Sequence, residues 1–61
     1  AADRVVWITQ NYPALDRAIE RTLAEARVRY RVRDFGPYRV YYDLSRHISP
    51  RDVTLTLRDE G

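Results

Sequence analysis

The segment Ser45-Arg46-His47-Ile48-Ser49, with Asp43 before it and Asp52 after it, gathers the chain's single histidine with two hydroxyls and two carboxylates. A serine nucleophile needs a histidine to take its proton and a carboxylate to orient that histidine. Triads of this kind are built by geometry across a fold, not by crowding within one short loop. A fold this thin also offers no pocket around such a loop, so His47 reads as a solvent-exposed loop histidine. The carboxylates Asp16, Glu20 and Glu25 are the other acid–base groups. Paired carboxylates do chemistry when a cleft separates their pKa values; here all three fall on the polar side of a helical pattern and read as a solvated face. Gly36-Pro37 stands alone, with no glycine-rich phosphate loop around it. With no cysteine and one histidine, a protein-only zinc site is not expected. The expectation is a chain with no catalytic residues, no metal and no cofactor.

The clearest pattern in the chain is period-two alternation. Val28, Tyr30 and Val32 alternate with Arg29, Arg31 and Arg33. After Gly36-Pro37, the residues Tyr38, Val40, Tyr42 and Leu44 alternate with Arg39, Tyr41 and Asp43. This predicts two half-buried strands, 28–35 and 38–44, facing each other across a turn. A two-residue loop would set Val32 opposite Tyr41 and Arg31 opposite Tyr42, mixing the two faces. The hydrophobic pattern therefore predicts an odd loop or a bulge near Gly36, with Asp43 opposite Arg29 or Arg31.

Around this hairpin, 4–9 is a short apolar run rich in β-formers and predicts a strand covered on both faces. Asn11-Tyr12-Pro13 breaks it, and proline suits the first turn of a helix. From Pro13 to Ala26 the residues Leu15, Ala18, Ile19, Leu23 and Ala26 recur at intervals of three and four. Asp16, Arg17, Glu20, Arg21 and Glu25 fill the other side, with Arg21 and Glu25 placed to pair and Arg27 at the end to suit the dipole. Residues 45–52 read as a connection, 53–57 alternates as a fourth strand, and 58–61 reads as a frayed tail.

Arginines along one face of strand 28–35 suit a sheet edge, where charge deters further pairing. Strand 38–44 then lies between 28–35 and 4–9. The expected fold class is α+β: a small β-α-β-β(-β), split βαβ, half ferredoxin-like, with one helix packed on one face of a three- or four-stranded mixed sheet. If Val6 and Ile8 face the helix, Val5 and Trp7 face away from it. The open face would carry Trp7, Arg29, Arg31, Arg33, Arg39 and Tyr41.

At 61 residues the chain reads as one small domain over 1–61. Such a chain buries only about 60% of the surface its unfolded form exposes, and its core supplies about 3–5 kcal/mol net. All 11 basic residues are arginine, and there is no methionine, even at position 1; we read the chain as excised from a longer protein or processed. A net charge of +2, with Asp34 and Asp43 among the arginines, argues against a nucleic-acid partner. The alternative kept open is a small module binding single-stranded nucleic acid or protein through the arginine and aromatic face. No apolar run approaches the ~20 residues that span a bilayer, so direct membrane insertion of this segment is not expected.

The run Phe35-Gly36-Pro37-Tyr38-Arg39-Val40-Tyr41-Tyr42-Asp43-Leu44-Ser45 resembles the closing segment of bacterial polytopic membrane glycosyltransferases. These are the dolichyl-phosphate-mannose mannosyltransferase and aminoarabinose-transferase-like enzymes, which use polyprenyl-phosphate sugars. The preceding strand 5–9 and helix 15–26 fit the same plan. The resemblance implies an accessory tail outside the cytoplasm, docked on the rest of its parent membrane protein or on a second copy. The family's catalytic residues lie between membrane helices that this chain does not include, so none carries over.

Overall fold

The computed structural model describes residues 7–60. In chain order the elements are β1 (Trp7–Gln10), α1 (Pro13–Glu25), β2 (Arg31–Phe35), β3 (Tyr38–Tyr42) and α2 (Pro50–Glu60). The fold is α+β, and the sheet order is β1-β3-β2. Each neighbouring pair is antiparallel, so β1 and β2 run parallel with β3 inserted between them, and β2 lies at an edge. That is the split βαβ expected from the alternation. Among the described residues the sheet has three strands, with both neighbouring pairs antiparallel, where a mixed sheet was expected. Val5 and Val6 lie outside the described residues.

Helix α1 forms where the spacing predicts it. Pro13 occupies its first turn, and the Asp16 amide bonds the Tyr12 carbonyl at 3.0 Å. Its end is closed by two backbone bonds, Val28 N–H to the Leu23 carbonyl at 2.9 Å and Arg27 N–H to the Ala24 carbonyl at 3.1 Å. With Arg27 at φ 56°, this is a Schellman closure, in which a left-handed residue turns the chain back on its helix. Arg27 therefore closes the helix through its backbone rather than lying in the last turn. Leu23 and Val28 share the core at that end.

The hairpin departs from expectation. Arg31 pairs with Tyr42, Val32 with Tyr41, Arg33 with Val40, Asp34 with Arg39 and Phe35 with Tyr38. This is the two-residue Gly36-Pro37 turn with no bulge. Hydrophobic patterning dictates register only where a strand has a face to bury, and every residue of β2 is exposed. Turn chemistry decides instead: glycine at φ 56° followed by proline has the φ signs of a type II′ turn, whose twist suits a hairpin. A Cβ on Gly36 would meet nothing within 4 Å, so any penalty comes from the backbone alone. Gly36→Ala is expected to lower stability by about 1 kcal/mol, measurable by urea denaturation, with the fold retained.

The second departure is α2, where a fourth strand, and beyond it a frayed tail from Arg58, were expected. Ser49-Pro50-Arg51-Asp52 is a helix start: Ser49 Oγ accepts the Arg51 amide at 3.2 Å, and its carbonyl accepts the Asp52 amide at 3.0 Å. Val53 is buried, Leu57 packs against the core, and Leu55 stays exposed, which is helical rather than strand spacing. The threonines are weak helix formers, so packing on α1 carries the segment. The Thr22 and Thr56 hydroxyls meet at 2.8 Å between the helices. Each is also within reach of the carbonyl four residues earlier, Ala18 at 2.7 Å and Asp52 at 3.0 Å. Having one proton each, the two hydroxyls satisfy two of these three contacts at a time.

The core is Ala18, Ile19, Leu23, Val28, Tyr41, Leu44, Ile48 and Val53. It lies between the two helices and one face of the sheet.

Candidate docking face and a polar cleft

Register assigns each strand residue to a face. Trp7 pairs with Tyr41 and Thr9 with Arg39, so these four point toward the helices along with Val32 and Asp34. The opposite, helix-free face carries Ile8 and Gln10 from β1, Tyr38, Val40 and Tyr42 from β3, and Arg31, Arg33 and Phe35 from β2. Ile8, Phe35 and Tyr38 there are 63%, 54% and 45% exposed. The Arg33 guanidinium lies 5.8 Å from the Phe35 ring centre. Arg31 lies 3.9 Å from Asp43, but it stands opposite Tyr42 in the register, not opposite Asp43 as the odd loop would have placed it.

Three of the six residues expected on the open face are therefore placed elsewhere. Tyr41 is wholly buried, and Trp7 packs against the core from the helix side. Arg39 also lies on the helix side, bonded to Asp34 at 2.8 Å. Arg31 and Arg33 lie on the helix-free face. Arg29 is exposed beside β2, where its amide bonds Ser45 Oγ at 3.0 Å and its carbonyl accepts the Ser45 amide at 2.8 Å. Ile8, Phe35, Tyr38, Val40 and Tyr42 were not singled out from the sequence. The two-residue register of the Gly-Pro turn groups Phe35 with Tyr38, Val40 and Tyr42, but which face the helices cover is decided by packing and not by the turn.

The helix side holds a polar cleft of about 410 Å³ between the start of α1 and the hairpin turn. Two carboxylates that line it, Asp16 and Glu20, also bind Tyr41, whose hydroxyl lies 3.0 Å from Asp16 Oδ1 and 2.9 Å from Glu20 Oε2. Thr9 Oγ1 donates to the same Asp16 oxygen at 2.6 Å. Arg39 lies 3.9 Å from Asp16 and 4.0 Å from Glu20. Asp16 and Glu20 are thus the polar link between helix and sheet, not the solvated face expected of them; Glu25 does lie outside, paired with Arg21 at 3.3 Å.

One phenol proton serves two carboxylates here. Ionising Tyr41 would remove that donor and put a third negative charge among them. Burial, the bonds to Glu20 and then Asp16, and their charges hold its pKa far above the usual phenol value. Burial and then the Glu20 charge raise Tyr30 as well; its ring lies 6.0 Å from that of Tyr41. The hydrogen bond from Arg39 lowers the Asp34 carboxyl, and the Asp34 bond raises Arg39.

His47 is exposed. Ser45 is engaged with the Arg29 backbone and Ser49 with the start of α2. Among the described residues, no group of three or more histidines, cysteines, aspartates or glutamates is arranged to hold a metal ion, and no helix is long and apolar enough to cross a membrane. The fold and its surfaces define a small α+β unit, β-α-β-β-α, with one sheet face free of helix. Comparison with family models, with curated proteins and with solved structures found no match.

Proposed function

We propose that this domain is a non-catalytic accessory module that docks through the helix-free face of its sheet onto the protein that carries it. The observation behind this reading is the clustering of exposed Ile8, Phe35 and Tyr38 with Val40 and Tyr42 on one face. Contiguous exposed apolar surface marks interaction sites, and aromatic residues and arginine are enriched at interfaces. The resemblance of 35–45 to glycosyltransferase tails supports a finer form of the proposal. The carrier would then be a bacterial polytopic membrane glycosyltransferase, with this domain outside the cytoplasm and catalysis in the membrane-spanning part.

Hydroxyl-radical footprinting of the full reading frame that encodes the chain, against the chain alone, tests the docking. Phe35, Tyr38 and Tyr42 are expected to be modified several-fold less in the full protein, and Tyr38→Asp to restore the reactivity of Phe35 and Tyr42. Equal modification in the two proteins would reject the proposal.

Placement of Asp34 favours a second reading more than the sequence did. This aspartate faces the helices, so Arg31 and Arg33 share their face with three aromatic rings, and the acidic group beside them is Asp43, 3.9 Å from Arg31, which a phosphate would have to displace. That is the composition of a stacking surface for single-stranded nucleic acid. Two arginines neutralising two phosphates would give a salt slope of about −1.4, or about sevenfold weaker binding between 50 and 200 mM salt. Docking by apolar contact carries no such slope.

A further inference from the structure

The two edges of the sheet are unlike. On β2, Arg31, Arg33 and Asp34 put charge along the edge, a means of deterring strand addition. The outer edge is β1, Trp7-Ile8-Thr9-Gln10, which has no charge and pairs only with β3 among the described residues. A groove of about 180 Å³ adjoins it, lined by Trp7, Ile8, Thr9 and residues of both helices, including Leu15, Ile19 and Val53. Residues from both faces of β1 line it and none from β3 does, so it lies on the outer side of β1. No charged side chain lines it.

We propose that the outer edge of β1 accepts an extended, uncharged strand from a partner protein, one of whose apolar side chains seats in this groove. The inference goes beyond the sheet-face reading and uses a different surface. A strand edge offers alternating amides and carbonyls, which only another extended backbone matches along its length. Side chains of the added strand alternate between the two faces. Those on the helix side enter the groove between α1, α2 and β1, and the others extend the apolar face beside Ile8. A second copy of this chain is a poor occupant. In a two-fold pairing of β1 with itself, its helix-side residues are Trp7 and Thr9. Trp7 is already packed against its own core, and Thr9 is bonded to its own Asp16, so the copy has nothing free to place in the groove.

The probe is a short peptide alternating leucine and threonine, titrated into isotope-labelled chain. Controls replace every leucine by serine, or methylate the backbone nitrogens that would face β1. Saturable amide shifts are expected at 7–10 and at Val53 and Thr54, with hydrogen exchange of outward β1 amides slowed. Both control peptides are expected to bind at least about tenfold more weakly. Thr54 is exposed on α2, so Thr54→Glu is expected to weaken binding by about the same factor while circular dichroism stays unchanged. Three results would each overturn the proposal: no saturable binding, shifts centred on β2 or on Tyr38 and Phe35, or equal binding of the methylated peptide. A β1-linked dimer seen by sedimentation without peptide would overturn it too.

Discussion

Tyr41→Ala is expected to leave the domain unfolded. Tyr41 is the largest fully buried side chain among the described residues, at 0% exposure, and it sits on the central strand, between β1 and β2, facing the helices. Removing a buried ring of this size costs about 3–5 kcal/mol, which matches the whole net stability of about 3–5 kcal/mol that a core of this size supplies. The substitution also leaves Asp16 and Glu20 without the hydroxyl that joins them to the sheet. Far-ultraviolet circular dichroism and amide dispersion read the outcome directly. Tyr41→Phe separates the two contributions, because it keeps the ring and deletes only the hydroxyl. Its expected cost is about 1–2 kcal/mol, since Asp16 keeps its bond from Thr9 and Arg39 stays near both carboxylates. A folded Tyr41→Ala variant would show that the helices and sheet hold together without this residue.

Stability is expected to fall steeply as pH rises above about 10. The folded state holds the Tyr41 proton more tightly than the unfolded state, whose phenol has the ordinary value near 10. The stabilisation this represents is whole below pH about 10 and is lost as pH climbs through the raised folded value. Tyr30, also raised, adds in the same direction. The chain has no lysine, and arginine stays charged above pH 12, so side-chain titration between pH 10 and 12 belongs to tyrosines. Urea denaturation from pH 8 to 11.5 checks this. Wild type is expected to lose stability over that range, and Tyr41→Phe, weaker at neutral pH, to show a much flatter profile. Parallel profiles for the two proteins would remove Tyr41 as the source.

Both predictions concern a residue that the sequence assigned to the wrong face. The same alternation that correctly marked two strands, and put β2 at an edge by its arginines, carried no information on which face of that edge strand turns inward. All of β2 is exposed, so no burial penalty tied its pattern to a register. The Gly36-Pro37 turn set it, bringing Val32 and Asp34 to the face of Tyr41 and Arg39, and packing of the helices decided that this face, shared with Trp7, turns inward. A similar conflict arose at 53–57, where alternating threonine and leucine favoured a strand locally. The Ser49-Pro50-Arg51-Asp52 helix start pointed the other way, and packing against α1 prevailed.

By itself the sequence determined the α+β class, α1 from its three-and-four spacing, the hairpin, and the place of β3 between β1 and β2. These follow from local periodicity and from charge at an edge, which act over a few residues. Only the tertiary structure decided which sheet face the helices cover, that 50–60 is a second helix, and that Asp16 and Glu20 turn inward to hold Tyr41. Those outcomes depend on where an apolar surface finds a partner far away in the chain, and local pattern does not encode that partner.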